Sequence, residues 1–213
     1  MKRILLLATT TLVICMAYAV SAHAQSAGAR EQLERFSSGM NTLHAQFEQQ
    51  VITSDGEVQD GSAGEVWLQR PKLFRWEYGG EFPELVVADG KNIWIYDEVL
   101  EQVTVRNQSQ AVNSPLSLLT DLGQLDEQFE VREAGAMDDM FLLELRSRNA
   151  ESEFDRILIG LSENSLKLMV MEDAFGLRTE LKFGQVEKNP GVDPGLFTFT
   201  PPESADVIGE IQR

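Results

Sequence analysis

The apolar positions of this chain change their period along its length. Residues 4–20, ILLLATTTLVICMAYAV, form one nearly continuous apolar run. From Ala27 to about Met40 the spacing is helical. Leu33, Phe36 and Met40 recur at three- and four-residue intervals, with Arg30, Glu31, Glu34 and Arg35 on the wetter side. Gly39 weakens the last turn and helps end that helix. The period then falls to two. Ala45, Phe47, Gln49 and Val51 alternate with polar neighbours as far as a turn at Ser54-Asp55-Gly56. A second strand is predicted from Gly61 to Gln69, with Trp67 on one face and Val66 and Leu68 on the other. In the third strand Phe74, Trp76 and Tyr78 share a face opposite Leu73, Arg75 and Glu77. Leu85 to Ala88, the turn dipeptide Asp89-Gly90, and Ile93 and Ile95 alternating with Trp94 and Tyr96 make the clearest hairpin. Val103 and Val105 suggest a further strand.

The middle interrupts this pattern. Ser114-Pro115 reads as an N-cap followed by proline at the first helical position, and Leu116, Leu118, Leu119 and Leu122 supply an apolar face. Alternation resumes over Phe129–Arg132, Phe141–Arg146, Phe154–Ile159, Leu166–Met171 and Leu177–Phe183, with a turn at Asn164-Ser165. Phe197 and Phe199 are expected on a last short strand closed by Pro201-Pro202. No βαβ rhythm occurs, so a parallel sheet is not expected. The pattern predicts a mainly β domain with helices (α+β), a large curved antiparallel sheet with helices on one side. Its interior is either filled by side chains or left open to an apolar guest.

The first apolar run is an export signal by its flanks. Lys2 and Arg3 precede it, and Ala22-His23-Ala24 offers small residues for cleavage before Gln25. Residues 1–24 are therefore expected to be a signal peptide and residues 25–213 a single domain. Cys15 follows Ile14 inside the apolar run, without the small preceding residue of a lipidation site, and the mature chain then holds no cysteine. The formal net charge is −16, and losing Lys2 and Arg3 takes it to −18. So acidic a surface repels nucleic acid and anionic membrane.

Candidate chemistry is sparse. His44 is the one histidine of the mature chain, which removes histidine zinc clusters and the usual Ser-His-Asp sets. Phosphate- and dinucleotide-binding glycine loops and the nucleophile elbow are absent from the sequence. A glycosidase needs only two acids, but the acids here are scattered over turns and polar strand faces. Asp138-Asp139 and Glu172-Asp173 read as turn residues, and Asn107-Gln108-Ser109 is an incidental sequon. No enzyme, metal or cofactor is expected.

The informative block is GEVWLQRPKLFRWEY, residues 64–78. It concentrates Trp67, Phe74, Trp76 and Tyr78 on two adjacent strands, with Arg70 directly before Pro71. Such aromatics either pack a core or form a wall that grips acyl chains, each buried methylene contributing roughly 0.8 kcal/mol. Met137, Met140, Met169 and Met171 add adaptable side chains.

In order, the leader, LHAQFEQQV, this block, LVVADGKNIWIYDEVLEQVTV, NSPLSLL and FTFTPP resemble the periplasmic outer-membrane lipoprotein carrier family over essentially the whole mature chain. The resemblance implies an unclosed antiparallel β-barrel enclosing an apolar cavity lidded by helices. It implies a monomeric periplasmic chaperone that takes triacylated lipoproteins from an inner-membrane ABC transporter and passes them to an outer-membrane lipoprotein acceptor. By the same resemblance Arg70 is the lid latch, a guanidinium whose five donors can tie several oxygens. Phe74 serves cargo transfer, and Phe47, Trp67, Trp76 and Trp94 line or buttress the sheet. The outer-membrane acceptor itself is set apart by an N-terminal lipidated cysteine, which this chain lacks at its cleavage site. The alternative is a generic periplasmic lipid-binding module of the same fold.

Overall fold

A computed structural model describes residues 28–110, 123, 125–150 and 152–212. The leader with Cys15, the cleavage site and the helix expected after Ser114 lie outside the described residues. Helix α1 (Ala29–Ser37) opens the fold, shorter than the stripe that foretold it. Its chain leaves the helix at Ser38, and Gly39 turns it with φ +65°, a conformation that suits glycine. Met40 stays buried beyond the helix end.

Six strands follow: β1 (Thr42–Ile52), β2 (Val58–Gln69), β3 (Leu73–Tyr78), β4 (Glu84–Ala88), β5 (Asn92–Asp97) and β6 (Gln102–Asn107). A single-turn helix α2 (Leu125–Gln128) precedes β7 (Phe129–Met137), β8 (Met140–Ser147), β9 (Arg156–Ser162), β10 (Ser165–Glu172), β11 (Arg178–Lys188) and β12 (Asp206–Gly209). All twelve join one sheet in the order β12-β6-β5-β4-β3-β2-β1-β11-β10-β9-β8-β7. The ends of that order, β12 and β7, do not pair, so the sheet is unclosed.

Two expectations about the C-terminus are corrected. The segment at Phe197 is no strand: Pro194–Phe197 is a 3-10 turn, with the Asp193 carboxylate accepting from the Gly195 N–H. Pro201 and Pro202 carry no N–H to extend a ladder there. The last strand is instead β12, and it runs parallel to β6, the one departure from antiparallel pairing among the described residues.

Period two sorts the strands into faces. Leu43, Ala45 and Phe47 of β1, Val66 and Leu68 of β2, and Trp76 of β3 share the inner face. Leu181 and Phe183 of β11, Met169 of β10, Ile157 and Ile159 of β9 and Leu143 and Leu145 of β8 continue it. α1 lies on this face and adds Ala29, Leu33 and Phe36, packing against β8, β9 and β10. On the outer face Val87, Trp94, Val103 and Val105 form a separate cluster, covered by Phe199 and Ala205 of the C-terminal segment. No helix among the described residues is long and apolar enough to cross a membrane.

Candidate functional site

The inner wall is built on a close approach of strands. Phe47 faces Gly64 across β1 and β2, and Gly64 faces Tyr78 across β2 and β3. A Cβ at residue 64 would stand 1.8 Å from the Glu77 carbonyl oxygen and 2.9 Å from Phe47 Cζ, so glycine makes room for the ring. Phe47 then stacks obliquely on Trp76, centroids 4.5 Å apart, and meets Tyr78 edge-on at 5.2 Å. Phe183 reaches Trp76 edge-on at 6.4 Å. The wall therefore spans β11, β1 and β3.

Polarity changes along this wall. Toward α1 it is aliphatic. Toward the far ends of β1–β3, Tyr78 donates its hydroxyl hydrogen bond to Gln49 Oε1 at 3.0 Å. Burial, then the nearby Glu84 carboxylate, push the Tyr78 phenol up to about 12. Glu84 itself is raised above the usual carboxylate range by burial and by Asp97. The Trp76 indole N–H approaches the Tyr78 oxygen and opposes its rise, yet forms no hydrogen bond. A buried donor left in this way costs about 1–3 kcal/mol. An open volume of about 1370 Å³ lies at this end, lined by Phe47, Gln49, Ser62, Gly64, Tyr78 and Glu84 among others. The aliphatic part of the inner face, by contrast, is filled by Leu33 and Phe36 of α1.

α1 is tethered at both ends. At its C-terminus Arg70, at the end of β2, donates from Nη1 to the Ser37 carbonyl at 3.1 Å and from Nη2 to Ser37 Oγ at 3.0 Å. Its backbone N–H donates to Asn41 O at 2.8 Å. Beyond β11's end Asn189 donates to the Gly39 carbonyl, and Lys188 reaches the carbonyls of Arg35 and Ser38 while lying over the Phe36 ring. At the N-terminus the Glu133 carboxylate of β7 accepts from the N–H groups of Ala29 and Arg30 at 2.9 and 3.0 Å. It satisfies donors that a helix leaves free and opposes the positive end of its dipole. Arg30 adds a two-pronged pair with Asp126 of α2.

The residues singled out from sequence separate by face. Phe47 and Trp76 belong to the inner wall. Phe74 is buried on the same face, farther along β3, with Ala88 and Ile93. Trp67 and Trp94 lie on the outer face. Trp67 stacks on His44, whose Nε2 lies 3.1 Å from Glu65. Trp94 donates to Asp89 Oδ2 at 2.8 Å and packs on Phe199. Asp89 is held below the usual carboxylate range: burial works against this, but hydrogen bonds from Asn92, Trp94 and Lys91 outweigh it. Met169 and Met171 belong to the inner core, Met140 lies against Gly160 on the opposite face, and Met137 is exposed. Sequence reasoning missed Glu133, Lys188 and Asn189. Each meets α1 or the turn that follows it across more than a hundred residues of chain, and no local pattern marks them.

An unclosed, mostly antiparallel sheet, with an aromatic inner wall and a helix tethered at both ends on the same face, defines an open-sheet class of protein. The family described as "Outer membrane lipoprotein carrier protein LolA" matches residues 38–200. The "Outer-membrane lipoprotein carrier protein" of Dechloromonas aromatica (strain RCB) is 40% identical over 185 residues, 86% of this chain and 89% of its own. Its counterpart in Xanthomonas campestris pv. campestris (strain B100) is 39% identical over 200 residues, 92% of this chain and 96% of its own. Among solved structures, an uncharacterized conserved protein from Thermus thermophilus shares the fold, with TM-score 0.54 and 15% identity over 84% of this chain and 96% of that one. The chain belongs to the outer membrane lipoprotein carrier family. Its relatives are named as carriers, not as enzymes.

Proposed function

We propose that this protein is a periplasmic chaperone that shields the acyl chains of lipoproteins and carries them toward the outer membrane. The observation that carries the reading is α1 held by Arg70 across an inner face that is otherwise an apolar, aromatic wall. α1 acts as the lid. When it lifts, Leu33 and Phe36 leave the inner face and acyl chains take their place. The exchange is close to neutral in buried apolar area, because one set of hydrocarbon replaces another. The Arg70 fork then decides how readily the lid lifts.

The finer roles follow the same scheme. Residues 1–24 direct export. Triacylated lipoproteins arrive from an inner-membrane ABC transporter, Phe74 takes part in that transfer, and an outer-membrane acceptor receives them. The open polar end beside Tyr78 and Gln49 gives the lipoprotein's polypeptide a way out. The test is native mass spectrometry of the mature protein taken from periplasm without detergent. A 1:1 adduct with the mass of a triacylated lipoprotein is the expected result. Only free protein, under conditions that load a known carrier, would overturn the reading.

A further inference from the structure

The chain has three tryptophans, and the structure treats each differently. Trp94 is buried and donates to Asp89. Trp67 is half-buried on the outer face against His44. Trp76 is 2% exposed, and its indole N–H, which approaches the Tyr78 oxygen, completes no hydrogen bond among the described residues. Buried donors are nearly always paired, so this one needs an explanation. A phenylalanine at residue 76 would keep the apolar wall without an unmet donor. With the Tyr78 oxygen close but not bonded, the N–H is fully satisfied only in a state of the protein where an acceptor completes its bond.

Its position says what that acceptor is. Trp76 stands at the change of polarity along the inner wall. Phe47 and Phe183 surround its ring, Val66 and Val86 pair beside it, and Tyr78 with Gln49 follows one step nearer the open end. Two residues along a strand are about 7 Å. A ligand lying with its hydrocarbon toward α1 and its polar part toward the open end would place its first polar atoms at this level. Those atoms must accept a hydrogen bond, be uncharged and suit an aromatic surround. A charged phosphate or carboxylate would be poorly solvated there and would face Glu84. An acyl carbonyl meets every condition.

We infer that the Trp76 indole N–H is a binding-site donor for an acyl carbonyl, ester or amide, at the root of the bound lipid chains. The inference rests on the lipoprotein-carrier reading and names the group within the cargo that the wall recognises. It makes the site selective for acylated over merely alkylated guests. Apolar contact alone would not distinguish the two.

The probes are three synthetic lipopeptides: a tripalmitoylated cysteinyl peptide, its analogue with both glycerol esters replaced by ethers, and a form lacking the N-acyl chain. Wild-type protein and Trp76→Phe are titrated with each. Wild type is expected to hold the full probe about two- to tenfold more tightly than Trp76→Phe does, the worth of one neutral hydrogen bond. If the ether analogue erases that difference the acceptor is an ester, and if removal of the N-acyl chain erases it the acceptor is the amide. In ¹⁵N-labelled wild type, the indole proton of Trp76 is expected to move downfield on loading, a readout that needs no folded variant beyond its assignment. Equal binding of all three probes by both proteins, with an unmoved indole resonance, would overturn the inference. Failure of folded wild type to bind any probe would instead overturn the carrier reading.

Discussion

Replacing Arg70 with leucine tests the proposed lid directly. The guanidinium makes two hydrogen bonds to Ser37, one to its carbonyl and one to its hydroxyl. Bonds from charged donors contribute about 1.5–3 kcal/mol each when buried. Arg70 is half-buried, so water partly replaces them in the variant, and Lys188 and Asn189 still hold the same end of α1. A loss of about 2 kcal/mol in holding α1 against the sheet is the reasonable sum, which multiplies the population with α1 detached roughly 30-fold. Amide hydrogen exchange reads this locally. The N–H groups of Gln32 and Ser38, bonded to the carbonyls of Gly28 and Glu34, should lose protection by about that factor. The amides of β8–β10 should not change. Ser37→Ala removes only the hydroxyl partner and should produce a smaller part of the effect. Equal acceleration across α1 and the strands would mean that Arg70 stabilises the fold as a whole, and the latch argument would fail.

Other consequences follow from the same contacts. Glu133→Ala strips the cap from the first turn of α1 and should cost about 1–2 kcal/mol in urea unfolding, with Glu133→Gln intermediate. Gly64→Ala forces a Cβ into the Glu77 carbonyl and should destabilise by more than about 2 kcal/mol while disturbing the near-ultraviolet signal of the aromatic wall. Tyr78 should ionise only near pH 12 by absorbance titration. Its phenol is held neutral by the fold, so its contribution to stability is full below pH 10 and is lost as pH rises from 10 to about 12. Glu84 is likewise favoured in its protonated form, so its ionisation works against the fold above the ordinary glutamate range. Glu84→Gln should raise the Tm at pH 7 and lose that advantage on acidification.

The period of two was enough to place most strands and to divide the residues of β3 and β5 between faces. Phe74, Trp76 and Tyr78 do share one side, and Ile93 and Ile95 do oppose Trp94 and Tyr96. Periodicity could not say which side is inward, because both faces of β4 and β5 are apolar. The outer one is covered by Phe199 and the C-terminal segment rather than by solvent. That segment was misread for a related reason. Phe197 and Phe199 alternate like a strand, but Pro194 and the Asp193 cap settle the first into a 3-10 turn. The strand that does form, at Asp206–Gly209, has an exposed face and no buried alternation to announce it. The family resemblance singled out Arg70, which is found bonded to Ser37. Glu133 was not singled out, since nothing in its own strand distinguishes it from the other acids of an acidic chain.

An unclosed sheet gives these tethers their meaning. In a closed barrel the ladder hydrogen bonds fix the interior, and a covering helix adds little to its shape. Here β7 and β12 end the sheet without meeting. α1 reaches from Glu133 on β7 to Arg70 just past β2 and Lys188 on β11, so it links one free edge to the middle of the sheet. Between those anchors the aromatic wall crosses the seam where β1 pairs with β11, through Phe47 beside Phe183. Residues close in space at this seam come from opposite ends of the chain, and no ladder joins the two outer edges to resist a change in curvature. Neither Glu133 nor Arg70 takes part in the β1–β11 ladder, so losing one of these tethers leaves that ladder intact.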